Sequence, residues 1–188
     1  MVILVGGTGC TGKTLFTYHL MKETNFPYFP LDHLMMAIYR GIPNCGFDPM
    51  DDQFVLGGKM WPVIKGLIMT NIENDHNIIL EGIQLLPHLL SDFPHDYLDN
   101  ILSVFLFFSD RYIKDNFDGK IIKYRSAIEN RSDIDDITPA KLISETRRLI
   151  EHCINNRIVF FEIENDFDPG MKEARNFVLA KLRNKRLY

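Results

Sequence analysis

Val2-Ile3-Leu4-Val5-Gly6-Gly7-Thr8-Gly9-Cys10-Thr11-Gly12-Lys13-Thr14 is the stretch on which the reading of this chain turns. Val2 to Val5 is a continuous run of β-branched and aliphatic residues, the pattern of a strand buried on both faces. Glycines at 6, 7, 9 and 12 break the run, and Lys13 to Lys22 follows as a helix with Leu15, Phe16, Leu20 and Met21 near helical spacing. At the junction, Gly7 to Thr14 satisfies G-x-x-x-x-G-K-[ST] in full. Glycines let successive backbone N–H groups turn inward around a polyphosphate, and the helix N-terminus adds the positive end of its dipole. Gly7, Thr8, Gly9, Cys10, Thr11 and Gly12 would form this cradle. Lys13 would reach the β- and γ-phosphates, and the Thr14 hydroxyl would ligate Mg²⁺. The pattern points to a nucleoside triphosphate without naming its base. The dinucleotide fingerprint G-x-G-x-x-G also fits Gly7, Gly9 and Gly12, with Asp32 lying 20 residues past Gly12. That alternative has no use for Lys13 and Thr14.

Outward from the loop, strands and helices alternate. Tyr28 to Leu31 reads as a second strand with Asp32 at its carboxyl end, and Leu34, Met35, Ile38 and Tyr39 mark a short helix after it. Gly41 to Pro49, rich in turn residues, is a loop. Phe54 to Ile72 is helical, with Pro62 as a site for a kink. Asn77 to Leu80 is a strand ending in Glu81-Gly82, and Ile101 to Phe108 is the strongest strand signal in the chain. Arg111 to Arg131 is polar and helix-prone without a clear apolar seam, which predicts an exposed, mobile excursion. Thr138 is placed to cap a helix with Pro139 at its first position, and Leu142, Ile143, Thr146, Leu149, Ile150 and Cys153 mark one face of it. Arg157 to Ile163 is a last strand and Met171 to Arg183 a closing helix. The alternation predicts a single α/β domain over residues 1–188, with right-handed crossovers and helices on both faces of a parallel sheet.

Composition narrows the function classes. Of 188 residues, 46% are hydrophobic and 24% charged, enough for a core without disulfides or structural metals. A net charge of −4 and a pI near 5.8 argue against nucleic acid as the partner. The basic tail Lys181 to Arg186 reads as a helix terminus complementing its dipole. Ile101 to Phe108 falls far short of the ~20 apolar residues of a spanning helix, so no membrane partner is expected. Met1 to Val5 lacks the basic lead of a signal peptide. The cysteines, Cys10, Cys45 and Cys153, are isolated and show no metal-ligand spacing. The expectation is a cytoplasmic protein, monomeric or homodimeric, acting on a small molecule.

In a parallel sheet, residues at strand carboxyl ends converge on one crevice. Asp32 and Glu81 should therefore face the bound triphosphate. Asp32 is suited to take the proton of an acceptor hydroxyl, and Glu81 to hold a Mg²⁺-bound water. The alternatives are a helix cap for Asp32 and an ordinary strand end for Glu81.

With these residues the chain resembles the P-loop small-molecule kinases, the group of nucleoside monophosphate, shikimate and gluconate kinases. Ile78 to Pro87 is similar to the acidic strand-end segment of the 2-phosphoglycerate kinase and zeta-toxin-like branch. The resemblance implies a P-loop NTPase fold, a five-stranded parallel sheet of order 2-3-1-4-5, ATP and Mg²⁺ as cofactors, and a lid at about residues 111–136. That stretch carries Arg111, Lys114, Lys120, Lys123, Arg125 and Arg131, and the resemblance assigns lid cations such as Arg125 and Arg131 to the transferring phosphoryl group. Seven carboxylates between Asp110 and Asp136 nearly cancel this charge, so an exposed salt-laced helix pair is the other reading. By the same resemblance Arg111 would stack on adenine. The acceptor would lie near Gly41 to Pro49, where Met35, Met36, Met50, Met60, Trp61 and Met69 provide an apolar lining or simply core, and Arg40 and Lys59 provide cations. The implied activity is ATP- and Mg²⁺-dependent phosphoryl transfer to a hydroxyl or phosphate of a small metabolite, 2-phosphoglycerate kinase-like or similar. A nucleoside or nucleotide kinase and a nucleotide-dependent regulatory switch are the alternatives.

Overall fold

The amino-terminal apolar run forms β1, Val2–Gly7, buried along its whole length. It is followed in the computed structural model, which describes residues 1–124 and 137–185, by α1 at Lys13–Thr24, β2 at Tyr28–Pro30, α2 at Leu31–Gly41 and α3 at Gln53–Glu73. Next come β3 at Ile78–Glu81, a 3₁₀ turn at Pro87–Asp92, α4 at His95–Leu98 and β4 at Ile101–Phe108. After these stand α5 at Asp110–Asn116, continued by π-helical turns at Phe117–Ile122, then α6 at Pro139–Asn155, β5 at Phe160–Ile163 and α7 at Phe167–Asn184.

The strands form one parallel sheet in the order β2-β3-β1-β4-β5. Val5 lies opposite both Glu81 and Val104, and Pro30 lies opposite Glu81. The carboxyl ends of β2, β3 and β1 are therefore level. In the doubly wound dinucleotide fold strand 2 pairs with strand 1, whereas here β3 separates them. That separation removes the dinucleotide reading of the glycines, because Asp32 stands two strands away from β1.

Side chains alternate across the sheet with a period of two. Ile3, Val5, Ile79, Val104, Leu106 and Phe108 pack with Phe16 and Leu20 of α1 and with Ala174, Val178 and Leu182 of α7. Val2, Leu4, Leu80, Phe105 and Phe107 pack on the other face with Leu56, Met60, Ile64 and Ile68 of α3 and with Leu149 and Cys153 of α6. Thr138 caps α6 as its position predicts, its Oγ1 accepting from the Lys141 N–H at 3.2 Å. The α3 helix runs unbroken through exposed Pro62, whose missing N–H leaves the carbonyl of Gly58, also exposed, without that donor. No helix of the described residues is long and apolar enough to cross a membrane.

One element differs from expectation. One face of residues 111–122 packs into the core, with Tyr112, Ile113 and Ile121 all under 5% exposed, while Arg111, Lys114, Asp118 and Lys120 stay exposed as expected. Ile113, Phe117 and Ile121 recur every four residues and pack on the core, running from α5 into the π-helical turns.

Candidate active site

The loop between β1 and α1 is held from several directions. Gly7 has φ +134°, and a Cβ there would sit 2.2 Å from the Leu106 carbonyl oxygen, so only glycine permits this turn against β4. Gln53, the first residue of α3, donates from Nε2 to the Ile83 carbonyl at 2.7 Å and to the Gly7 carbonyl at 3.4 Å. Thr8 Oγ1 and Thr146 Oγ1 of α6 are hydrogen-bonded at 3.2 Å. Within the loop, Thr11 Oγ1 donates to the Thr8 carbonyl at 3.0 Å, and the Lys13 ammonium donates to the same oxygen at 2.6 Å. A backbone carbonyl thus fixes the direction of a nearly buried cation, with Lys13 only 6% exposed.

Of the two acids, Glu81 meets the loop, and Asp32 follows the neighbouring strand. Thr14 Oγ1 donates to Glu81 Oε2 at 3.3 Å, and Glu81 is 6% exposed. One hydroxyl and one carboxylate form a hard, open oxygen set. That suits Mg²⁺, which keeps several waters and takes its remaining ligands from phosphate. Asp32 sits in the first turn of α2, where Pro30 occupies the capping position, so it does not cap the helix. Its Oδ1 accepts from Gln84 Nε2 at 2.7 Å. Because Pro30 pairs with Glu81, Asp32 lies on the β2 side of the Thr14–Glu81 pair.

A cavity of about 620 Å³ opens over the loop, lined by Cys10 to Leu15, Glu81, Phe108, Tyr112, Lys120, Ile121, Tyr124 and the segment Asp166–Pro169. Its size falls in the range of sites that take small ligands and cofactors. Its lining joins Lys13, Thr14 and Glu81 to the aromatic rings of Phe108, Tyr112 and Phe167. Phe108 stacks on Tyr112 at 4.5 Å and meets Phe167 at 6.2 Å. Burial, together with Asp166 and Asp168, pushes the Tyr112 phenol up, so it stays a neutral ring and donor. Lys120, one of the expected lid cations, lines the cavity, whereas Phe167, Tyr112 and Tyr124 are lining residues that sequence reasoning missed. Asp166–Pro169 was findable, since it follows β5 as Asp32 follows β2. Gln53 carried no sequence signal of its own, and Thr146 showed only as part of a helix face.

Arg111 lies outside this lining, exposed and paired with Asp115 at 3.5 Å. Arg125 and Arg131 lie outside the described residues. Arg147 of α6 binds Asp110 at the start of α5, with Nε at 3.1 Å, tying α6 to the helix that opens the cationic stretch. On the proposed acceptor side, Met35, Met60 and Trp61 belong to the core while Met50 is 73% exposed. A shallow groove of about 690 Å³ is lined by Tyr39, Arg40, Ile42, Phe47 and Lys59, and Lys59 is paired with Asp51 at 3.0 Å.

Sequence comparison finds no matching protein family and no matching curated protein. Solved structures do match. A shikimate kinase from Aquifex aeolicus vf5 is 16% identical with a TM-score of 0.54, covering 100% of this chain and 99% of that one. A gluconokinase from Sinorhizobium meliloti 1021 is 14% identical with a TM-score of 0.55, over 98% and 95% of the two chains. A shikimate kinase from Bacteroides thetaiotaomicron is 15% identical with a TM-score of 0.54, over 97% and 98%. At such identities the likeness is one of fold, and it extends over nearly the whole of each chain. With its strand order 2-3-1-4-5 and its glycine-rich loop between β1 and α1, this chain has the fold of the P-loop small-molecule kinases.

Proposed function

We propose that this protein is a kinase that transfers the γ-phosphoryl group of ATP to a hydroxyl of a small metabolite. The observation that carries the reading is the pairing of Lys13, Thr14 and Glu81 at one strand end with Asp32 at the next. Lys13 would leave the Thr8 carbonyl for the β- and γ-phosphates while the loop N–H groups cradle them. Thr14 and Glu81 would hold Mg²⁺, which when bound neutralises charge on the β- and γ-oxygens. Asp32 would orient the acceptor and take its proton during in-line attack. Phe167, Tyr112 and Tyr124 would form the walls against the base. Arg125 and Arg131 are assigned to the phosphoryl oxygens through the resemblance stated above. The isolated cysteines fit a reducing cytoplasm.

The shikimate kinases and the gluconokinase that share the fold make hydroxyl acceptors the first to test. Wild-type protein and Asp32→Asn are compared for ATP binding by calorimetry and for acceptor-dependent ADP release. The acceptors are shikimate, gluconate, 2-phosphoglycerate and nucleosides. Asp32→Asn should bind ATP as wild type does and lose about 10²- to 10⁴-fold in transfer. Normal transfer by the variant would remove Asp32 from the chemistry. A wild-type protein that hydrolyses ATP slowly and responds to no acceptor would favour a regulatory switch.

A further inference from the structure

Gln84 stands three residues beyond Glu81 on the turn that leaves β3, and it is completely buried. Its Nε2 donates to Asp32 Oδ1 at 2.7 Å and approaches Met35 Sδ at 3.5 Å. An ionised carboxylate only accepts hydrogen bonds, so the NH₂ side of the amide must be the side that faces it. This orientation leaves Oε1 buried with no partner among the described residues. Nearly all buried acceptors in folded proteins are satisfied, and those that are not call for an explanation. Packing does not supply one. A methionine would fill the space beside Leu31 and Met35 without an orphan oxygen.

The surroundings are also shaped around this side chain. A Cβ on Gly82 would lie 2.3 Å from Oε1, and a Cβ on Gly57 of α3 would lie 2.8 Å from the Gln84 carbonyl oxygen. Gly82 thereby leaves room for the side-chain oxygen, and Gly57 lets α3 approach the backbone of the turn.

We propose that Gln84 is a positioning residue for phosphoryl transfer, holding Asp32 Oδ1 so that the carboxylate plane and the direction of Oδ2 are set before the acceptor arrives. The inference rests on the proposed role of Asp32 and deepens it. In the step itself, the acceptor oxygen bonds to the γ-phosphorus as the bond from that phosphorus to the bridging β–γ oxygen breaks. The leaving electron pair stays on ADP, and the acceptor proton passes to Asp32. Gln84 keeps both its protons and contributes only geometry, so its loss should lower kcat and leave the acceptor KM and ATP affinity close to wild type.

Two variants test this. Gln84→Met keeps length and apolar packing but removes the donor, and Gln84→Glu donates only while its new carboxyl is protonated. Gln84→Met should lose about 10- to 10²-fold in kcat, keep ATP affinity within about twofold, and melt no lower than wild type, since the orphan oxygen is gone. Gln84→Glu should be weak at pH 8 and recover relative to wild type as pH falls toward 5, a recovery that Gln84→Met lacks. A readout independent of turnover is the pair of Gln84 side-chain amide signals in ¹⁵N–¹H spectra. These are assigned by their loss in Gln84→Met, and they should move in Asp32→Asn. Wild-type kcat in Gln84→Met, equal pH dependence in the two Gln84 variants, or amide signals indifferent to Asp32→Asn would each overturn the proposal. If Asp32→Asn transfers phosphate normally, the reading of Asp32 fails. If Asp32→Asn is inactive while Gln84→Met is normal, only the role of Gln84 fails.

Discussion

Gly7 and Gly9 occupy neighbouring places in the same motif, and the structure gives them different physical jobs. Gly7 combines φ +134° with a 2.2 Å approach of its absent Cβ to a backbone oxygen of β4. Neither the strain nor the clash can be relieved by rotating a side chain. Around Gly9 a Cβ would meet nothing within 4 Å, and its φ is not positive. Gly7→Ala should therefore destabilise the fold by about 3 kcal/mol or more, a fall of roughly 6–12 °C in Tm for a chain of this size. Gly9→Ala should melt within a degree or two of wild type and show its effect in nucleotide affinity, where a Cβ would crowd an approaching phosphate. Thermal melts and calorimetry on both variants check the contrast. The sequence motif marks both positions as glycine but is silent on which serves folding and which serves the ligand. That division depends on β4, more than 90 residues further along the chain.

Among the elements, the junction of α3, the 3₁₀ turn and α6 carries a group whose charge state matters to the fold. His88 stacks near Phe54 at 6.3 Å and lies 4.7 Å from the His152 ring. The Arg148 guanidinium sits 3.5 Å from the Phe54 ring centroid, with Asp52 paired to it at 3.7 Å. Burial first, then the neighbouring His152 and Arg148, holds the His88 imidazole below its ordinary range. In the unfolded chain His88 takes up its proton near pH ~6.5, whereas the folded protein takes it up only at lower pH. The unfolded state thus binds more protons just below that value. The contribution is fully present above about pH 6.5 and is lost as pH falls through the window beneath it. Tm measured at pH 7.5 and 5.5 should drop in wild type and drop less in His88→Leu. Equal drops in both proteins would assign the acid sensitivity elsewhere. Sequence periodicity found α3, α6 and the cap at Thr138, because those helices repeat at 3.6 residues. It missed the buried seam of Tyr112, Ile113 and Ile121, because the charged residues interleaved with them read as a solvated face. The His88 contacts were invisible for another reason, since they join three separate elements.

At the scale of the whole molecule, both crossovers on the β2 side and those on the β4 side leave the sheet at its carboxyl edge. Local strand-end rules accordingly bring Glu81 to the loop, where Thr14 meets it, and put Asp32 after the neighbouring strand. The same rule did not extend to the arrangement of the cavity walls, which come from the far ends of the chain. Cys10 to Leu15 contribute one wall, while Phe167 and its neighbours contribute another. The loop is further joined to α3 through Gln53 and to α6 through Thr146. A polyphosphate bound there would draw on β1, α1, α3, α6 and α7 together, so binding should stabilise the fold as a unit. At a concentration about 100 times Kd, ATP with Mg²⁺ should add about 2.7 kcal/mol, or roughly 5–11 °C in Tm. Lys13→Ala isolates the electrostatic part of this gain. Removing the ammonium leaves the Thr8 carbonyl with its bond from Thr11 Oγ1 at 3.0 Å, so the unliganded variant should melt near wild type. The ATP-induced shift and the turnover should nevertheless both disappear, since the cation that meets the β- and γ-phosphates is gone. A Lys13→Ala protein that still gained the full shift would show that triphosphate is held elsewhere on the molecule. One that melted far lower without ligand would make Lys13 a structural cation of the loop.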